Sequence, residues 1–145
     1  MLQQALHIDD FCRDCVRIMV LLHKRFPQKS TLYIEDIIGP DEPDEFGLHS
    51  PRHLACLGAA LWLADEGYLR FGQTMQQQAL DEAVLTHKAF LLLSAAAPGL
   101  DAEGSRGQTR AYVFETLLRE ASSETLSRAC LEFLGADTTL SFTVK

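Results

Sequence analysis

The stretch DEGYLRFGQTMQQQALDEAVLTH, Asp65 to His87, decides how the chain is read. Gly67 can take the left-handed conformation that ends a helix. From Tyr68 to Gly72 the residues alternate, with Leu69 and Phe71 facing one way and Tyr68 and Arg70 the other. Ala79 to Leu85 returns as a second, less regular strand, and Thr86 offers a cap to a helix starting at His87. The stretch therefore predicts a helix end, an antiparallel ribbon and a new helix. The ribbon tip, Gln73 to Gln78, reads QTMQQQ and contains no Lys or Arg, so it has no charge with which to hold a phosphate.

Upstream, Ser50-Pro51 places a cap residue before a proline at the first helical position. Leu54, Leu57, Leu61 and Trp62 form the apolar stripe of the helix that follows. Before it, Gly39 to His49 carries two prolines, two glycines and four acids, Asp41, Glu42, Asp44 and Glu45, and reads as a solvated acidic loop. Ile34, Ile37 and Ile38 predict a short helix after a short strand at Thr31 to Tyr33. The spacing of Ile8, Phe11, Cys12, Cys15, Ile18, Met19 and Leu22 predicts an amphipathic helix from about Asp10 to Arg25. Asp9 or Asp10 would cap it, and Pro27 would end it.

Downstream, the helix from His87 should reach about Ala96, closed by Pro98-Gly99, and residues 98–108 read as an internal linker. Tyr112, Val113, Leu117 and Leu118 mark one further helix. Leu126, Cys130, Leu131 and Leu134 mark another, capped by Ser122 or Ser123 and ended by Gly135. The alternation of Leu140, Phe142 and Val144 suggests an edge strand. The fold class expected is mainly α (α+β), in a single domain over 1–145.

Composition agrees with a folded globule: 145 residues, 47% hydrophobic and 23% charged. The apolar run Ala89 to Ala97 is far shorter than the ~20 residues that cross a bilayer. MLQQALHIDDF has neither the basic start nor the apolar core of a signal peptide, so a cytoplasmic location without membrane contact is expected. Cys12 and Cys15 lie three apart on a helical pattern and are expected to pack as small hydrophobes. Cys12 stands near the predicted helix start, which keeps a redox pair as the alternative.

The order helix, strand, short helix, helix, ribbon, helix resembles the winged-helix family of helix-turn-helix proteins. The residues that carry the likeness are SPRHLACLGAALWLADEGYLRFGQ, from Ser50, and AVLTHKAFLLL, ending at Leu93. The likeness spans about residues 8–96, leaving 109–145 as a C-terminal helical extension. It implies a helix laid in the DNA major groove and a ribbon tip on the backbone. On that reading Arg52, His53, Arg70 and Lys88 would contact DNA.

Three departures disfavour nucleic acid. The turn before the third helix should span roughly 3–4 residues, yet here it is long and acid-rich. Beyond Ser50, Arg52 and His53, the third helix offers no side chain suited to reading base edges. Residues 8–93 hold eight basic residues against thirteen acidic, and the whole chain carries a net charge of −7, so phosphates are repelled.

No catalytic pattern appears: there is no H-E-x-x-H, G-x-S-x-G, phosphate loop or EF-hand spacing. His49 and His53 are four apart, but the helix start between them removes the shared helical face, so two surface histidines are expected and no metal or cofactor. Ala55, Ala59 and Trp62, beside Gly58, form a strip of small residues around one large aromatic. The sequence thus points to a non-enzymatic interaction or regulatory adaptor that meets a protein partner or a second copy as a homodimer. Its contacts would run through Ala55, Ala59, Trp62, Leu69 and Phe71. A DNA-binding regulator is the alternative.

Overall fold

The computed structural model describes the backbone of residues 2–97 and 108–144, and the side chains of 7–97 and 108–136. Helix α1 runs from Leu2 to Arg25, eight residues earlier than its apolar spacing required. Leu2, Ala5 and Leu6 extend the same three-four pattern, so nothing in the sequence stops the helix at Asp10. Asp9 is accordingly not a cap. It lies inside α1, and its carboxylate accepts a hydrogen bond from Ser127 Oγ at 2.6 Å.

Strand β1 (Ser30–Tyr33) and the short helix α2 (Ile34–Ile38) follow, and the chain then loops to α3 (Pro51–Asp65). Ser50 caps α3 as expected, its Oγ accepting from His53 N at 3.1 Å. Gly67 ends the helix region at φ +84°. Strands β2 (Leu69–Arg70), β3 (Gln73–Met75) and β4 (Ala79–Leu85) come next. Thr86 then caps α4 (His87–Ser94), its Oγ1 accepting from Ala89 N.

The ribbon belongs to a wider sheet than its own two arms. β4 pairs antiparallel with β1 along one edge, and with β2 and then β3 along the other. A bulge lets β4 serve both neighbours. Ser30 faces Ala83 but Leu32 faces Leu80, and Glu82 stands at φ +55° within the extra residue. Asp81 Oδ1 braces it by accepting from Thr31 Oγ1 and Glu82 N, each at 3.0 Å.

Beyond α4, helices α5 (Arg110–Glu120) and α6 (Ser123–Val144) complete the described chain. The supposed edge strand at Leu140 to Val144 is helix instead, and Gly135 does not terminate α6. Glycine costs only about 1 kcal/mol against alanine inside a helix, and a Cβ there would meet nothing within 4 Å. Of the predicted linker, residues 98–107 lie outside the described residues. Its flanks meet, Ala97 N donating to Gln108 O at 3.1 Å and Arg110 N to Ala95 O at 2.9 Å.

α1 is the axis of the molecule. It packs against α2, α3, α5 and α6, and it also touches β4. One continuous core results, in which Ile18, Met19, Leu63, Leu80, Phe114 and Phe133 are essentially inaccessible to water. Cys12, Cys15, Cys56 and Cys130 are all buried free thiols. The hydrogen bond that Cys12 donates to Cys130, together with burial, pushes the Cys12 thiol up, and burial raises Cys56 to about 12. Both stay protonated and pack as apolar groups.

Candidate functional site

The third helix and the ribbon were the elements expected to meet a partner, and their side chains divide sharply. Arg52, nominated for DNA, turns back into the protein. Its two terminal nitrogens grip both oxygens of Asp14 on α1, at 2.7 and 2.5 Å, and Asp14 is 1% exposed. This pair fastens α3 to α1. Lys88 donates to Glu66 O at 2.8 Å and sits 4.5 Å above the Tyr68 ring. His53 is wholly buried. Of the four nominated contacts, Arg70 alone is exposed without a described partner.

The small-residue strip needs correcting by one helical position. Ala59 faces the core at 3% exposure, with Cys56, Leu57, Ala60 and Leu63. The outward face of α3 is made by Leu54, Ala55, Gly58 and Trp62. Leu54 is 40% and Trp62 37% exposed, so they are not the buried stripe that their spacing suggested. Between Arg52 and Asp65 this face bears no charge. Trp62 and Phe11 meet edge to face, with ring centroids 5.2 Å apart, and Trp62 stacks beside Tyr68 at 6.5 Å. Leu69 is buried and Phe71 partly so, which removes most of the ribbon surface once expected to meet a partner. Tyr68, expected on the opposite side of its strand from Leu69, is buried too, against Phe133.

At the start of α3 the structure assembles a cluster that the sequence disguised. His49 and His53, expected on the surface, are both buried and stacked, with ring centroids 3.8 Å apart and planes within 10°. The capped turn brings the ring of the residue before the cap over a ring in the first turn, without any shared helical face. Asp41 reaches in from the acidic loop. Its Oδ2 accepts from His49 Nδ1 at 2.9 Å and from Ser50 N at 3.2 Å. The Ser50 side chain first, then His49, and to a lesser degree the Ser50 backbone hold its carboxyl at about 2, well below the usual range. The acidic loop is therefore not wholly solvated. Asp44 too is engaged, folding the loop on itself by accepting from Phe46 N and Leu48 N.

The ribbon tip completes the arrangement. His53 Nε2 donates to the Gln77 carbonyl at 2.8 Å. Gln76 and Gln77 occupy the left-handed region at φ 51° and 64°, closing a turn in which Gln78 N donates to Met75 O. Gln78 O also accepts from Ile34 N at 2.9 Å. A tip without phosphate-binding charge is thus tied inward, to α3 and to the start of α2.

Elsewhere an open groove of about 420 Å³ runs between α1, α2 and α5. Its cations are already engaged: Arg17 donates to Ile37 O at 3.1 Å and Lys24 pairs with Glu115 at 3.3 Å. Comparisons of the chain with protein-family models, with curated proteins and with solved structures gave no match.

Proposed function

We propose that the protein is a non-enzymatic interaction or regulatory adaptor, built on a winged-helix-like arrangement and acting through protein contacts made by the outer face of α3. The order α1, β1, α2, α3 and ribbon, with β1 paired to the returning strand β4, supports the winged-helix reading. The observation that carries the function is the exposed, uncharged strip Leu54, Ala55, Gly58 and Trp62. A helix face of this kind loses little by leaving water, and a central aromatic concentrates binding energy. A second copy of the chain is the partner we favour, since one such face meets itself across a two-fold axis.

Molar mass by light scattering tests this. Gly58→Arg is the informative variant, because a side chain there enters open space and leaves the core alone. The expected result is a dimer for the native chain and a monomer, equally helical, for the variant. A native monomer, or an unchanged dimer in the variant, overturns the reading. Titration with duplex DNA at low and physiological salt addresses the regulator alternative. Binding with a steep salt slope would favour it, whereas the engagement of Arg52 and Lys88 by protein atoms predicts none.

A further inference from the structure

We propose that Asp41, His49 and His53 form a binding site for a divalent transition-metal ion of zinc type. One donor atom from each of the three residues lies within 4.8 Å of the others. The decisive atom is His53 Nδ1. In the neutral ring, the bond from Nε2–H to the Gln77 carbonyl leaves the lone pair on Nδ1. That atom is fully buried, has no hydrogen-bond partner, and lies 3.8 Å from Asp41 Oδ2, inside the cluster of donors. An interior seldom leaves a polar atom so placed without a partner, because its lost hydration goes unreplaced.

A backbone carbonyl on the far nitrogen of an imidazole is the usual outer support of a metal-bound histidine. Two nitrogens and one carboxylate oxygen suit zinc, cobalt or nickel rather than magnesium or calcium, which prefer oxygen alone. Three protein donors leave room for water or a ligand in the coordination sphere. Glu42 and Glu45, exposed on the same loop as Asp41, add negative charge that draws in a cation.

Binding requires one adjustment. Parallel stacked rings cannot both hold an ion in their planes, so one must turn. His53 is held by Gln77, whereas His49 ends a loop and is held at Nδ1 by Asp41 alone. His49 therefore turns, and its proton passes from Nδ1 to Nε2 as the ion takes the place of the hydrogen bond to Asp41. The site is separate from the outer face of α3, since Leu54, Gly58 and Trp62 supply none of its donors. Its test is independent of the oligomeric state.

The test uses the full chain, stripped with chelator, and Zn²⁺ or Co²⁺ alone. The ring signals of His49 and His53 should move on adding about one equivalent of Zn²⁺, while those of His7, His23 and His87 stay. Co²⁺ should give visible ligand-field bands without the near-ultraviolet band of thiolate ligation. Asp41→Asn and His49→Gln should each weaken binding at least about tenfold, with helix content unchanged. Four results would overturn the proposal: no binding by the folded chain, a thiolate band, movement of the other histidines instead, or full affinity in both variants. The native-chain spectra decide the matter even if a variant fails to fold.

Discussion

Arg52 and Asp14 have unequal claims on the fold. Asp14 is buried, whereas Arg52 keeps 37% of its side chain exposed. Arg52→Ala leaves a carboxylate in the core without its counter-ion. The expected loss is about 2 kcal/mol, below that for a wholly buried pair because solvent reaches the arginine. Adding Asp14→Leu should recover most of it, as urea unfolding of the single and double variants would report. His23 gives the pH dependence. Burial pushes its imidazole below the ordinary value, against a smaller opposing pull from Glu115. Its Nε2 meets Ser94 Oγ at 3.2 Å. A depressed pKa means that its contribution is complete above the unfolded value of about 6.5 and is lost as pH falls through the folded value. Melting temperature should drop as pH falls below about 6.5, and drop less in His23→Gln. At this scale the sequence was least legible. Arg52, His49 and His53 are polar residues at a helix start, and only the third dimension reveals that each has a partner inside.

At the scale of elements, local chemistry was a good guide wherever a cap or a turn residue acts. Ser50, Gly67 and Thr86 do what their side chains, or the lack of one, dictate. The extent of helices was harder to read, because a two-residue alternation such as Leu140, Phe142, Val144 also contains a four-residue step. The β4 bulge carries no sequence signal of its own. The ribbon tip yields a prediction. A type I′ turn prefers Gly where Gln77 stands, since L-residues pay about 1 kcal/mol for that conformation. Gln77→Gly keeps the carbonyl that His53 needs, so it should raise stability by about 0.5–1 kcal/mol in denaturant unfolding.

For the whole molecule, the C-terminal pair is structural. Arg110 shows how it is fastened: its guanidinium holds both oxygens of Glu132 on α6 and the Leu92 carbonyl of α4. Phe114 and Phe133 bury their rings against the same core as α1. A chain cut after residue 97 would lose both, at about 3–5 kcal/mol each, and would uncover Cys12, Cys15 and Met19. It should show no cooperative melting by circular dichroism, while the full chain does. The mainly helical class was legible because α1 keeps its apolar period and because α3 and α4 carry caps at their starts. That the extension packs against α1, with Trp62 left 37% exposed, was not, because no pattern in a chain says which of two apolar faces a distant helix will choose.

The arrangement of strands bears on behaviour at high concentration. The seven-residue β4 is flanked on both sides, and the segments outside it span only four, two and three residues. Neither rim offers a run of bare amides and carbonyls long enough to template another polypeptide. Growth into stacked ladders is thereby discouraged.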